Sequence, residues 1–194
     1  IIKSYSKANV TGIEKVGGLV GDSYYPIVQS YSVSNVIGEQ YVGGLIGRNL
    51  GNISESYSSG SVTGTIMYTG GLIGQTWYKP IIKNSYSNNN VNGVNNVGCL
   101  IGEVDDQQIT IENVYCIGDV TGSGSKVGGL LWESDENPVI TISSTYYKNL
   151  PNNGLGTYTT EAEMKKKTTY TGWDFNKIWT ISENEFPKLR NVVK

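Results

Sequence analysis

The chain has 194 residues, with 25 glycines, 14 tyrosines, 16% charged residues and a formal net charge of −2. No cluster of arginines with interleaved aromatic residues occurs, which argues against a nucleic-acid partner. The absence of histidine excludes histidine-based catalysis, and no apolar run is long enough for this segment to insert into a membrane.

Six isoleucines mark the starts of a repeat, and each stands four residues before a tyrosine. A Val-x-Gly follows the first five tyrosines at a fixed distance, and a block related to Val-Gly-Gly-Leu-Ile-Gly comes next. The repeats measure 26, 26, 29, 29 and 31 residues, and the extra residues enter mainly after the second block. A fixed core with growth at one corner is what stacked coils require, because only the core must stay in register. The isoleucines are Ile1, Ile27, Ile53, Ile82, Ile111 and Ile142.

Each repeat holds three short β-favouring pieces separated by Gly, Asn and Ser turns. The pattern predicts an all-β fold, a parallel β-solenoid of about five coils with a small C-terminal α+β cap, right-handed by the general bias of parallel crossovers. A propeller or a sandwich fits the repeat length and its fidelity less well. Whether the tyrosines or the flanking serines point inward stays open, because a bend before each tyrosine would reverse the alternation. The expected coils are 1–26, 27–52, 53–81, 82–110 and 111–141, with a partial coil at 142–147.

The block Gly-Gly-Leu-[Ile/Val]-Gly, preceded by the Tyr-Ser strand and Val-x-Gly, resembles the GLUG motif of bacterial surface proteins, which include IgA-peptidase-like and filamentous-haemagglutinin-like adhesins. The resemblance covers about residues 1–150 in five copies. The fourth copy departs from it at Cys99 and the fifth at Trp132, both in glycine positions. The resemblance implies an extracellular or cell-surface location.

Residues 148–194 are predicted to form the cap. Thr160 and Glu163 fit a capping box that opens a short helix to about Lys167. The large apolar residues that follow, including Trp173 and Trp179, are expected to close the end of the solenoid. The N-terminal end shows no cap, which predicts further coils or domains upstream in the same chain.

Two cysteines fall in different strands of adjacent copies, Cys99 in a glycine position and Cys116 in a serine position. We interpret them as two separate small-residue replacements, and a disulfide between them stays open.

Acidic residues gather in the fourth and fifth corner loops, where stacking could bring them together. They are weak candidates for a metal site or for polysaccharide cleavage, because neither loop has the alternating spacing of a calcium loop. We interpret them as solvated loop charges and expect neither a metal nor another cofactor. The candidates are Glu103, Asp105, Asp106 and Asp135.

Aromatic residues recur at the corner after the second block, with an arginine between them, and exposed aromatic groups beside polar ones favour binding. The chain is therefore predicted to be a non-catalytic structural or adhesive module that presents a rigid surface to a host or neighbouring-cell protein or glycan. An accessory domain that positions substrates for a larger secreted peptidase is the alternative, and a polysaccharide-cleaving solenoid comes third. The candidate binding residues are Tyr24, Tyr25, Arg48, Trp77, Tyr78 and Trp132.

Overall fold

The computed structural model describes residues 1–105, 108–133, 138–148 and 155–192. These residues form stacked turns of parallel β-strands, so the predicted β-solenoid is confirmed. Two parallel sheets run along the stack, one with 15 strands and one with five.

The 15-stranded sheet forms from the Ile, Tyr and Val-x-Gly pieces of each repeat and continues into the Val-Gly pair of the second block. Coil by coil, its strands are β1 (Tyr5–Ser6), β2 (Asn9–Thr11) and β3 (Glu14–Gly17); β5 (Ile27–Val28) and β6 (Tyr31–Gly43); β8 (Ile53–Ser54) and β9 (Tyr57–Gly70); β11 (Ile81–Gly93) and β12 (Asn95–Gly98); β14 (Gln108–Cys116), β15 (Val120–Gly122) and β16 (Val127–Gly128); and β18 (Val139–Ser143), β19 (Tyr146–Tyr147) and β20 (Thr157–Tyr158).

The five-stranded sheet forms from the Leu-Ile-Gly part of the second block. Its strands are β4 (Val20–Ser23), β7 (Ile46–Asn49), β10 (Ile73–Thr76), β13 (Ile101–Val104) and β17 (Leu131–Glu133). They lie in chain order from β4 at one edge to β17 at the other.

Like residues lie over like in successive coils. Ile53 pairs with Ile27 on one side and Ile82 on the other, and the column continues to Ile111 and Ile142. The tyrosines and the valines align in the same way, so backbone pairing and side-chain stacking reinforce each other. Ile27, Ile53, Ile82 and Ile111 are all fully buried.

The serines that flank Tyr31, Tyr57 and Tyr86 point into the coil, and the tyrosines stack on its outside. Ser32, Ser58 and Ser87 are fully buried, whereas the tyrosine rings stack with centroids 4.7 to 5.2 Å apart. We call this outer stack the tyrosine ladder; it comprises Tyr5, Tyr31, Tyr57, Tyr86, Tyr115 and Tyr146.

A left-handed bend explains why isoleucine and tyrosine, four residues apart, face opposite ways. The residue two before each tyrosine has a positive φ, for example 51° at Gln29 and 48° at Glu55. Strict alternation would put Ile and Tyr on one face, and the bend reverses it. The six residues at this bend are Lys3, Gln29, Glu55, Asn84, Asn113 and Ser144.

The C-terminal region begins with helix α1 (Glu161–Met164), capped by the Thr160 side chain, which accepts a hydrogen bond from the Glu163 amide. The predicted N-cap of this helix is present, but the helix ends at Met164, before the predicted end near Lys167, and a 3₁₀ turn covers Lys167–Thr169. Strands β21 (Trp179–Thr180) and β22 (Lys188–Leu189) then form an antiparallel pair. The division at residue 147 stays a prediction, since parallel pairing continues to β20.

The large apolar residues of this region lie along the side of the solenoid, which corrects the expectation that they close its end. Trp179 is fully buried, with its ring 6.2 Å from Tyr86 and 6.0 Å from Tyr115. The Tyr115 hydroxyl donates to the Pro187 carbonyl at 2.6 Å. The tyrosine ladder provides a continuous aromatic surface on the side of the solenoid, and the tryptophans pack against it. In the described part of the chain, no helix is long and apolar enough to cross a bilayer.

Candidate functional site

A polar column runs across the five-stranded sheet. Asp22 pairs in register with Arg48, Arg48 with Gln75, and Gln75 with Glu103. In each of these four coils, the residue seven positions before the polar one lies at a second left-handed bend. In the first coil that residue is Lys15, which forms an ion pair with Asp22 at 3.3 Å. The sheet therefore carries a line of charged and amide groups instead of a uniform apolar surface.

Asp22 holds Arg48 through a bidentate ion pair. Arg48 Nε donates to Asp22 Oδ1 at 3.1 Å, and Nη2 donates to Oδ2 at 2.7 Å. Burial by itself would raise the pKa of Asp22, but the hydrogen bonds from Arg48 and Lys15 outweigh it and hold the pKa below its ordinary value. A bidentate pair holds the guanidinium in one orientation.

Arg48 forms one wall of a cleft of about 400 Å³ lined by Tyr24, Arg48, Leu50, Trp77 and Tyr78. Arg48 Nη2 also donates to the Tyr24 hydroxyl at 3.1 Å, and the guanidinium carbon lies 5.6 Å from the centroid of the Trp77 ring. Tyr24 is 58% exposed and Tyr78 is 64% exposed. Four of the six predicted binding residues therefore meet in this cleft, which we call the Arg48 cleft.

The other two predicted binding residues lie elsewhere. Tyr25 is exposed but does not line the Arg48 cleft, and Trp132 lies on β17, at the far edge of the five-stranded sheet from β4. The position of Trp132 holds a glycine, Gly102, in the preceding coil. A Cβ on Gly102 would lie 2.5 Å from the Thr69 nitrogen, so that coil has no room for a side chain there. The pairing of β13 with β17 accordingly shifts register around Trp132.

A pair of tyrosines that sequence reasoning missed lies beside the polar column. Tyr41 and Tyr68 stack with centroids 5.0 Å apart, and both occupy the second left-handed bend. Their signal in the sequence is the large polar residue that stands just before the Val-Gly or Thr-Gly of each second block.

The acidic candidates do not form a metal site among the described residues, where no group of three or more His, Cys, Asp or Glu side chains is arranged to hold an ion. Glu103 is buried and accepts hydrogen bonds from Gln75 Nε2 at 2.9 Å and Asn96 Nδ2 at 2.7 Å. It continues the polar column, so its interpretation as a solvated loop charge is wrong. Asp105 accepts from the same Gln75 nitrogen at 3.2 Å, while Asp106 and Asp135 lie outside the described residues.

Cys99 and Cys116 form a disulfide with their Cα atoms 6.0 Å apart, which corrects their interpretation as separate replacements. Their two positions face each other in the interior, because a Cβ on Gly71, the equivalent of Cys99, would collide with the Ser87 hydroxyl, the equivalent of Cys116. A cysteine pair turns this close approach into a covalent link between coils. The sequence shows both replacements but does not show that they face each other.

Comparison with known proteins supports the interpretation of the repeat. Residues 38–63 match the family model of the GLUG motif. The chain carries the GLUG motif. The matched segment runs from β6 into β9 and includes the second block that starts at Val42, and the coils on either side pair with it in register.

Two proteins resemble larger parts of the chain. A protein of Evansella cellulosilytica, described provisionally as a Gly-rich membrane protein, is 33% identical over 85 residues, which cover 40% of this chain and 10% of that protein. A crystal structure from Bacteroides ovatus, described provisionally as an immunoglobulin A1 protease, matches with a TM-score of 0.59 and 23% identity over 96% of this chain and 56% of that one. The chain thus spans a small part of the first protein and about half of the second, and the second similarity shows the fold alone.

Proposed function

We propose that this GLUG-motif solenoid is a non-catalytic adhesive module of an extracellular bacterial surface protein, and that the Arg48 cleft is where it binds a host or neighbouring-cell protein or glycan. The observation that carries the proposal is the meeting of Tyr24, Arg48, Trp77 and Tyr78 around one open cleft. Asp22 holds Arg48 in place before any ligand arrives, which lowers the entropy lost on binding.

The match to the GLUG motif and the similarity to a protein described as a membrane protein support a surface location. The solenoid also suits display, because register pairing fixes the order of side chains from coil to coil. A rigid scaffold lets exposed side chains bind without ordering the backbone.

The test is a binding screen of the purified chain against arrays of glycans and host surface proteins. We expect a ligand whose binding falls at least tenfold in Trp77→Ala, because that change removes a wall of the cleft and the ring under Arg48. Tyr25→Ala is the matched control, since Tyr25 is an exposed corner aromatic outside the cleft. A ligand whose binding is lost in Tyr25→Ala and kept in Trp77→Ala would contradict the proposed site.

A role as an accessory domain of a secreted peptidase is a second candidate, favoured by the fold that the chain shares with the protein described provisionally as an immunoglobulin A1 protease. In that case the Arg48 cleft would bind the protein substrate of a neighbouring catalytic domain. The same screen separates the two, because an accessory domain should select a protein that the parent enzyme cleaves, and an adhesin should select a surface ligand that it leaves intact.

A further inference from the structure

Arg48 keeps one nitrogen uncommitted at the Arg48 cleft. Its Nε and Nη2 donate to Asp22, and Nη2 also donates to the Tyr24 hydroxyl. Nη1, which carries two N–H donors, makes no hydrogen bond to any described residue. The buried Nε1 of Trp77 likewise has no partner in the described part of the chain. Trp77 Nε1 is itself inaccessible to solvent, so Nη1 is the spare donor of the Arg48 cleft, and a spare donor calls for a ligand with oxygen acceptors.

The Asp22 carboxylate offsets part of the charge of Arg48 before a ligand arrives. The Asp22 carboxylate lies 2.7 Å from Arg48 Nη2, on the opposite edge of the guanidinium from Nη1. An anion on Nη1 would share one guanidinium with that carboxylate, and it would also meet aromatic faces that carry partial negative charge. Lys15, whose charge also faces Asp22, does not line the cleft. These features favour a neutral ligand over an acidic one.

The rim of the cleft is aromatic on both sides. The rings of Tyr24 and Tyr78 are exposed, and Leu50 adds an apolar surface. Aromatic rings contact the C–H faces of a sugar, while a donor such as Nη1 meets its hydroxyl oxygens.

We infer that the Arg48 cleft binds a neutral sugar residue of a glycan, with a pair of ring hydroxyl oxygens on Arg48 Nη1 and a C–H face against Tyr24 or Tyr78. This inference rests on the proposed function and names its ligand class. A cleft of about 400 Å³ falls at the lower end of small-molecule sites. We therefore expect one or two sugar residues to be held, with a dissociation constant on the order of 1 mM, because the two exposed tyrosines must be ordered on binding.

The experiment is saturation-transfer NMR of the whole chain with methyl glycosides of glucose, galactose, mannose and N-acetylglucosamine, and with glucuronic acid and N-acetylneuraminic acid as acidic probes. We expect at least one neutral glycoside to bind, with the strongest transfer to C–H protons on one ring face. Binding should change less than twofold between 50 and roughly 500 mM salt, since a neutral ligand releases no counterions and screening acts on charges.

Arg48→Lys tests the donor directly. It keeps the positive charge facing Asp22 but removes the planar fork and Nη1, so neutral-sugar binding should fall at least tenfold. Trp77→Phe removes Nε1 and keeps an aromatic ring, and should weaken binding less than Arg48→Lys does. Tyr25→Ala should leave binding unchanged, and a matching urea-unfolding midpoint shows that each variant is folded.

Three results would overturn the inference: binding of acidic sugars alone, neutral-sugar binding that Arg48→Lys leaves intact, or a protein ligand that needs Trp77 when no neutral sugar binds. The third result would leave the proposed function standing and reject only the sugar. The absence of any ligand, sugar or protein, that depends on Trp77 would reject both.

Discussion

The interior of the coils and the outer tyrosine ladder come from the same repeat, yet they are stabilised differently. Inside, Ile53 and Ser58 are as fully buried as their equivalents in the next coil, because each coil covers its neighbours. Outside, Tyr5 is 56% exposed and Tyr115 only 1% exposed, although both occupy the same position of the repeat. Neighbouring coils therefore bury the interior, whereas at Tyr86 and Tyr115 the C-terminal region adds an outer cover to the tyrosine ladder.

The sharpest test of this comparison removes the cover. We expect Trp179→Ala to lower the free energy of unfolding by about 3 to 5 kcal/mol, because the ring is fully buried against Tyr86, Tyr115 and Trp173. Urea unfolding followed by circular dichroism measures it. Tyr5→Ala, at the uncovered end of the tyrosine ladder, should cost less than about 1 kcal/mol. Equal costs for the two variants would show that stacking within the ladder, and not the cover, stabilises it.

The second test concerns the interior. The double variant Cys99→Gly with Cys116→Ser restores the Gly–Ser pair of the earlier coils and removes a link across 17 residues. We expect the fold to persist and the free energy of unfolding to fall by about 3 kcal/mol, since the unfolded chain gains freedom. A reducing agent should produce a similar loss in the natural chain and none in the variant. Loss of the folded state in the variant would mean that the fourth and fifth coils depend on the disulfide.

A smaller change should stabilise the interior. Thr69 takes a valine position, and its buried hydroxyl has no hydrogen-bond partner among the described residues. Thr69→Val should therefore raise the free energy of unfolding by about 1 kcal/mol, because it removes an unsatisfied polar atom at nearly constant volume. The reverse change one coil earlier, Val42→Thr, is the matched control and should destabilise. A loss of stability in Thr69→Val would indicate a partner for that hydroxyl.

The smallest effect concerns pH at the tyrosine ladder. Burial, with a contribution from Tyr31, raises the pKa of Tyr57 to about 12. Because the raised pKa favours the neutral ring in the folded state, the stability that Tyr57 contributes is complete below pH 10, its ordinary pKa. That stability is lost as the pH rises from 10 to about 12. Tyr57→Phe should thus lose less stability over that interval, as measured by urea midpoints at several pH values. Equal losses in both proteins would contradict the burial of Tyr57.

The repeat could be predicted because register leaves a direct mark on sequence: each stacked position constrains the same residue type in every coil. The isoleucine column follows from this repetition, and the helix cap at Thr160 follows from the residue types that begin helices. Positions that meet through space could not be predicted. The pairing of Cys99 with Cys116, the burial of Glu103 and the path of the C-terminal region depend on which side of a bend each residue faces. The Arg48 cleft could be predicted in part. Stacking predicts that its residues align, but it does not predict the ion pair with Asp22 that orients Arg48.

The left-handed bend before each tyrosine has a consequence for how such a chain can change. Six successive copies turn there with φ between 44° and 54°, yet five residue types occupy the position and none is glycine. Since the neighbouring coils' hydrogen bonds hold this conformation, the residue itself does not need to favour it. Such a site can exchange a lysine for a glutamate or an asparagine while the winding of the backbone is conserved. Substitutions at this bend can therefore change the surface chemistry along one edge of the solenoid while its backbone stays the same.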